Sequence, residues 1–389
     1  MKHRSSFNIH HSTLFLALLA AVITLAACEP ESDSTSRNTI TYVVANPTTP
    51  VTPIEADITS NQNLDALLDR FCDYAEQGQA VTFYHNGHTS GTPSKEATKF
   101  STTSREEMKA WMRRMEDAGK TVTVTYNRET GTWNGTAYAV APPTQDEGPR
   151  LSRVTFDQTF DSTGMASWER HIVYTYTWDG DLLTSVDEEW FSVWRSLDGT
   201  SDTSVDHSTA ILTYQNGLCT AIGDVRNTYL GGRLAVQEFP WDNGGVYTFV
   251  YNEEGKPVCP VHTFMASQYG SDVMEPVTVW GAVAEWENGD VAHFVNEDGQ
   301  PVVNFEYDNS LRPRGIVIGV HVLLPYYTGV FWPQNLWSSH NISRVDWCGS
   351  DYGDFELQYT HDAAGRAATA VIPRWTDGSH VSWTFEYVD

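Results

Sequence analysis

Tyr251-Asn252-Glu253-Glu254-Gly255-Lys256-Pro257 is the stretch that decides the fold of this chain. An aromatic residue closes a β-rich run, Asn or Asp opens a turn, and Gly takes the positive φ that the turn needs. A basic or aliphatic residue then starts the next run. The phrase recurs as Trp178-Asp179-Gly180, Tyr214-Gln215-Asn216-Gly217-Leu218 and Asn296-Glu297-Asp298-Gly299-Gln300-Pro301. It returns as Tyr307-Asp308-Asn309-Ser310-Leu311-Arg312 and Tyr359-Thr360-His361-Asp362-Ala363-Ala364-Gly365-Arg366. Turns of this kind between β-branched and aromatic runs predict antiparallel hairpins, with no helix, over residues 150–389. The spacing of Tyr176, Tyr214 and Tyr251 is nearly constant; it loosens where Pro325 to Trp337 lies as an insertion.

Upstream, residues 59–141 read as a small α+β domain. Thr59 and Gln62 form one capping box, ahead of Leu64, Leu67, Leu68, Phe71 and Ala75 at helical spacing, and the helix stops at Gly78. Ser104 and Glu107 form a second, ahead of Met108, Trp111, Met112 and Met115, with Gly119 as the stop. Strands are expected over 80–85, 121–126 and 132–138, with Asn86-Gly87 as a two-residue hairpin turn. The Pro-rich run from Ala141 to Pro149 is a boundary by composition. The expected class is therefore mainly β: a large curved antiparallel hairpin meander preceded by a small α+β domain.

The N-terminus gives an address. Lys2 and Arg4 precede an apolar run from Leu14 to Ile23 that is short for a membrane span, as in a signal peptide over residues 1–27. Leu25-Ala26-Ala27-Cys28 resembles the lipobox of bacterial lipoproteins, in which the Cys is acylated and becomes the mature N-terminus. Two or three acyl chains hold a protein on a membrane durably. Glu29-Pro30-Glu31-Ser32-Asp33-Ser34 resembles the export signal of Bacteroidetes lipoproteins displayed on the cell surface. These resemblances imply an outer-membrane, lipid-anchored protein facing the exterior. Residues 28–58 read as a tether, within which the strand-like 39–44 is expected to dock on a sheet edge.

Composition removes whole classes of partner. Across 389 residues, 24 Lys+Arg face 50 Asp+Glu, a net charge of −26. Nucleic acid is excluded, because that binding rests on basic groups displacing counterions, and so is a polybasic grip on anionic lipid. The 40% hydrophobic and 12% aromatic content implies a packed core.

The turn phrase resembles the YD-type repeats of bacterial surface and toxin-shell proteins. With the lipobox, Ser104-Arg105-Glu106-Glu107, Tyr126 to Gly131, Trp337 to Ile342 and Leu357 to Arg366, the chain is similar to an uncharacterised family of Bacteroides-type surface lipoproteins. The resemblance implies a curved sheet of hairpins and carries no catalytic residue. His361-Asp362 departs from the Tyr-Asp form.

No catalytic signature, cofactor motif or complete metal-ligand set emerges from spacing. His85 and His88 flank a turn without a third ligand, and zinc needs three or four. Asp187 and Glu189 share a strand face, as paired carboxylates of glycoside hydrolases do, but no apolar pocket is evident beside them. Asp179-Gly180-Asp181 and Asp198 to Asp202 lack calcium-loop ligand spacing. Cys28 is taken by lipid, which leaves Cys72, Cys219, Cys259 and Cys348; Cys219 and Cys259 follow successive turns, at differing offsets, and are one candidate pair. Trp190, Ser192 and Trp194 share a face and read as a core stripe. The leading ligand site is the aromatic insertion, with Tyr326, Tyr327, Phe331, Trp332 and Trp337 as faces for a sugar or an anchor for a protein. The expected function is a non-enzymatic, lipid-anchored surface protein that binds carbohydrate or a protein partner. The alternatives are a glycoside hydrolase and a scaffold subunit of a surface assembly.

Overall fold

A computed structural model of the chain describes residues 38–86, 98–139, 148–160, 167–239, 245–252, 255–267, 273–296, 298–314, 338–348, 354–373 and 379–388. Among them the fold is mainly β, with two helices and antiparallel sheets, as the turn phrase predicts.

The first sheet is built from β1 (Thr39–Ala45), β2 (Ile54–Asp57), β3 (Ala80–Asn86), β4 (Thr98–Thr102), β5 (Lys120–Asn127) and β6 (Thr132–Ala139). Its order is β2-β1-β3-β5-β6-β4. The helices α1 (Asn61–Glu76) and α2 (Arg105–Asp117) cover one face. Alternation along each strand explains the layering. Ile40, Tyr42, Val81, Phe83, Val122 and Val124 join Leu68, Phe71, Met108 and Trp111 of the helices in one core. The intervening Val43, Ala45 and Ala80 belong to the core of the large sheet described next. Position 39–45 thus lies inside the sheet, between β2 and β3, rather than on an edge. Ser60, not Thr59, caps α1, its hydroxyl accepting from Asn63 N at 3.1 Å. Ser104 caps α2 as expected, but Glu107 takes the Thr102 hydroxyl instead of reaching back. Gly87 of the expected Asn86-Gly87 turn lies outside the described residues. β3 pairs with β1 along its length and with β5 over Val81–Phe83, and β4 pairs with β6.

The second region runs through β7 (Leu151–Phe160), β8 (Ser167–Asp179), β9 (Leu182–Arg195), β10 (Ser201–Gln215), β11 (Leu218–Ile222) and β12 (Val225–Leu230). It continues as β13 (Arg233–Phe239), β14 (Gly245–Tyr251), β15 (Pro257–Ser267) and β16 (Met274–Trp280). A five-stranded sheet follows: β17 (Val283–Glu287), β18 (Asp290–Val295), β19 (Pro301–Leu311), β20 (His340–Asp346) and β21 (Phe355–Glu356). The chain then re-enters the large sheet as β22 (Gln358–His361), β23 (Ala367–Ile372) and β24 (His380–Tyr387), and β24 pairs with β7. Strand order is chain order, with the last strand returned to the first. One apolar cluster runs through it, from Phe156 and Trp383 to Val250, Phe294 and Val345.

The turn phrase works by one repeated device. Asn252 Oδ1 accepts from Lys256 N at 2.9 Å while Gly255 sits at φ +79°. Asn296 with Gln300 and Asp362 with Arg366 repeat the same four-residue link, with Gly299 and Gly365 at positive φ. Tyr307-Asp308-Asn309-Ser310 lacks the Gly, so β19 continues to Leu311 through an irregularity instead of turning. The aromatics do more than cover a neighbour. Tyr251, Tyr307, Tyr359 and Tyr387 each donate a hydroxyl to a carbonyl of a nearby strand, at Leu234, Val291, Ile342 and Ala367. Tyr359→Phe leaves the Ile342 carbonyl without its donor and is expected to cost about 1–2 kcal/mol in urea denaturation.

Candidate functional site

Three strands outrun their neighbours. β8, β9 and β10 are 13, 14 and 15 residues long, whereas β11 has 5. The register between β8 and β9 is unbroken from Ser167 to Thr177, and that between β9 and β10 from Ser201 to Ile211, so direct partners there share a face. One row reads Trp383, Phe156, Ile172, Trp190, Asp206. The next reads Gln158, Arg170, Ser192, Ser204, and the last Phe160, Trp168, Trp194, Asp202. At the Trp383 end this face is core: Trp383, Phe156 and Ile172 are buried. Toward the β9–β10 turn the core ends and the same face lies open, with Trp194 50% exposed.

The open part is an aromatic platform held by a cation. The Arg170 guanidinium lies 4.6 Å from the Trp190 ring centroid and 5.7 Å from that of Trp168. Trp168 in turn stacks on Phe160 at 6.2 Å. A guanidinium close to two indoles is attracted to both rings and so restrains them. Around this platform, three buried polar atoms have no hydrogen-bond partner among the described residues: Tyr174 Oη, Gln158 Oε1 and Trp383 Nε1. Buried polar groups are ordinarily paired, so a run of unpaired ones on one face is a chemical demand for a hydroxyl-rich partner or water. Glu188 stands beside Tyr174 in the register. Burial, with the negative charge of Asp206 added, holds its carboxyl above the usual carboxylate range.

That shift has a sign. The folded carboxyl keeps its proton to higher pH than the unfolded one, so stability falls as pH rises from the ordinary carboxylate range through the raised folded value. Glu188→Gln should therefore raise the melting temperature at about pH 8 and leave it little changed at about pH 4.

The other sequence candidates fall elsewhere. Cys28, His88 and the insertion residues Tyr326, Tyr327, Phe331, Trp332 and Trp337 lie outside the described residues. Trp190, Ser192 and Trp194 do share a face, and the stripe is core only in part: Trp190 is half-buried and packs against the core, whereas Trp194 is exposed. Asp187 and Glu189 project from the opposite face, where Asp187 accepts the Thr209 hydroxyl at 2.6 Å. Asp198 closes its own turn on Thr200, and Asp181 faces Arg150 and Arg314, each at 3.8 Å. His85 Nδ1 lies 2.5 Å from Glu116 Oε1, and no metal-holding cluster occurs among the described residues.

Cys72, Cys219, Cys259 and Cys348 form no disulfide with one another. Cys219 Sγ contacts Ala221 O and Cys259 Sγ contacts Gly281 O, on strands four apart in the sheet, which separates the candidate pair. Burial pushes the Cys72 and Cys259 thiols up to about 12 and Cys219 up to about 11. Iodoacetamide on the native protein should label exposed Cys348 first; Cys72 and Cys259 should follow only on unfolding, as peptide mapping would show.

The residues missed from sequence are Phe160, Trp168 and Arg170. Their alternation on two strands carries the signal, but only cross-strand register brings them to Trp190.

The fold and the site define an antiparallel β protein whose inner sheet face opens into an aromatic platform. No protein-family model and no curated protein matches the chain. Among solved structures it is similar to a porin-like protein from Bacteroides uniformis at 11% identity, covering 64% of this chain and 100% of that one. The TM-score is 0.29, a likeness too slight to bear on fold or activity.

Proposed function

We propose that this is a lipid-anchored outer-membrane surface protein that binds carbohydrate on the platform of Phe160, Trp168, Trp190 and Trp194. The observation that carries the reading is the part-exposed indole row, with Arg170 against Trp168 and Trp190, beside polar atoms without a partner among the described residues. Indole faces stack on the apolar faces of sugar rings, and polar edges take the hydroxyls. The lipobox at Cys28 supports the anchor. The opposite face of β7–β9 carries Arg153, Asp157, Glu169, His171, Asp187 and Glu189. A lipid-facing strand needs an apolar band there, so attachment through acyl chains fits these strands better than spanning by them.

A glycan array probed with the detergent-solubilised full chain tests the binding. The expected result is retention of a defined glycan class, lost on Trp190→Ala with Trp194→Ala; no retained glycan overturns the reading. Protease treatment of intact cells tests the orientation. Cleavage is expected, and protection would place the body on the periplasmic side. A second reading, glycoside hydrolysis, is favoured by one observation, the raised Glu188 carboxyl beside Asp206. Release of reducing ends by the wild-type chain and not by Glu188→Gln would replace binding with hydrolysis.

A further inference from the structure

The free edge of β10 is the other feature that the platform leaves unexplained. From Ser201 to Ile211 this strand pairs with β9 on one side, whereas β11 pairs only with Leu212–Gln215. Ser201–Thr209 is exposed throughout, and no described strand lies on its outer edge. Proteins ordinarily blunt such an edge with Lys, Pro or a bulge. None of these occurs between Ser201 and Leu212; the one irregularity comes later, at Thr213/Tyr214.

The edge has a local stand-in. His207 N donates to Asp206 Oδ1 at 2.8 Å, a side chain doing the work of a missing strand. That N–H therefore points outward. Antiparallel ladders alternate inward and outward pairs, so Thr203, Val205, His207 and Thr209 present their N–H and C=O groups to the edge. Their side chains form one face, on which Val205 is 74% exposed opposite Phe191. The other face carries Asp202, Ser204 and Asp206.

We propose that this edge takes an extended basic segment of another protein as an added strand. Main-chain bonds to Thr203, Val205 and His207 would hold it, and lysines or arginines at alternate positions would meet Asp202 and Asp206. Charge decides the occupant. A second copy of this chain paired antiparallel about Ser204 would set Asp202 against Asp206, a destabilising arrangement, and in any register would bring together two copies of net charge −26. The incoming strand would bury Val205 and displace Asp206 from His207 N.

The test uses the full chain and two acetylated nine-residue peptides. One reads Lys-Val-Thr-Val-Lys-Val-Thr-Val-Lys, and in the other Glu replaces every Lys. The lysine peptide is expected to bind, to slow amide exchange at Thr203, Val205 and His207, and to weaken with salt; the glutamate peptide should bind at least tenfold more weakly. Val205→Pro removes one outward N–H while sparing the β9 ladder. It should weaken the lysine peptide at least tenfold and leave glycan retention on the platform unchanged. Val205→Thr, which keeps the N–H, should bind nearly as the wild type. Equal binding of the two peptides, equal binding by Val205→Pro, or slow exchange of those amides in the free protein would overturn the proposal. So would a dimer that Val205→Pro dissolves, which would give the edge to a second copy.

Discussion

Replacing Trp190 and Trp194 together by Ala should lower affinity for the retained glycan by about 100-fold, each indole contributing about 1.4 kcal/mol or more. The effect should fall on binding and not on folding. Trp194 is half exposed and Trp190 half-buried, so neither is held in the interior as Trp383 is. Removing Trp190 frees the Arg170 guanidinium from the nearer of its two rings, and Trp168 then loses a fixed neighbour. Trp190→Phe keeps a ring under Arg170 and should lose less than Trp190→Ala, whereas a purely steric role would make the two alike. Calorimetric titration of each variant with the array-identified glycan, beside thermal melting, separates the outcomes. A loss of melting temperature that tracks the loss of affinity would return the stripe to the core.

That outcome bears on why this site was not legible in the sequence. Alternation of Trp190, Ser192 and Trp194 states that they share a face; it does not state what covers that face. A core stripe and an open platform have the same period of two. The difference arises because β10 has 15 residues and β11 has 5, so the sheet narrows and its inner face loses its cover. Phe160 meets Trp168 only through the cross-strand register of β7 and β8, which the period of two within either strand does not state. The turns themselves were legible because their chemistry is local. Asn252, Asn296 and Asp362 each bond a backbone N–H four residues on, and Gly255, Gly299 and Gly365 each take positive φ. Where one local piece was missing, as at Tyr307-Asp308-Asn309-Ser310, the chain ran on as strand. The segment 39–57 misled for the opposite reason. Its prolines and polar residues resemble a tether, yet β1 supplies Val43 and Ala45 to the large sheet and Ile40 and Tyr42 to the helices. Long-range pairing overrode composition.

Gly78→Ala should cost this protein a large share of its stability. Gly78 ends α1 at φ +83°, where an L side chain costs about 1–2 kcal/mol. A Cβ built there would also lie 2.1 Å from the carbonyl oxygen of Pro276 in β16. That oxygen is backbone and cannot swing aside. The same spot joins the helix-covered sheet to the large one. Thr278 Oγ1 donates to Gly78 O at 2.6 Å, and Arg128 bridges Glu76 O at 2.9 Å and Glu275 at 2.7 Å. Relieving the clash means moving β16 away and breaking these bonds, so overpacking adds about 1–3 kcal/mol to the backbone cost. The expected total is about 2–5 kcal/mol in urea denaturation. Gly180 is the control, since it sits at φ +58° with open space around its Cβ position. Gly180→Ala should lose only the backbone part, about 1–2 kcal/mol. Faster amide exchange along β16 in Gly78→Ala, and not in Gly180→Ala, would place the extra loss at this junction. Equal costs at the two glycines would mean that the contact with Pro276 holds nothing together.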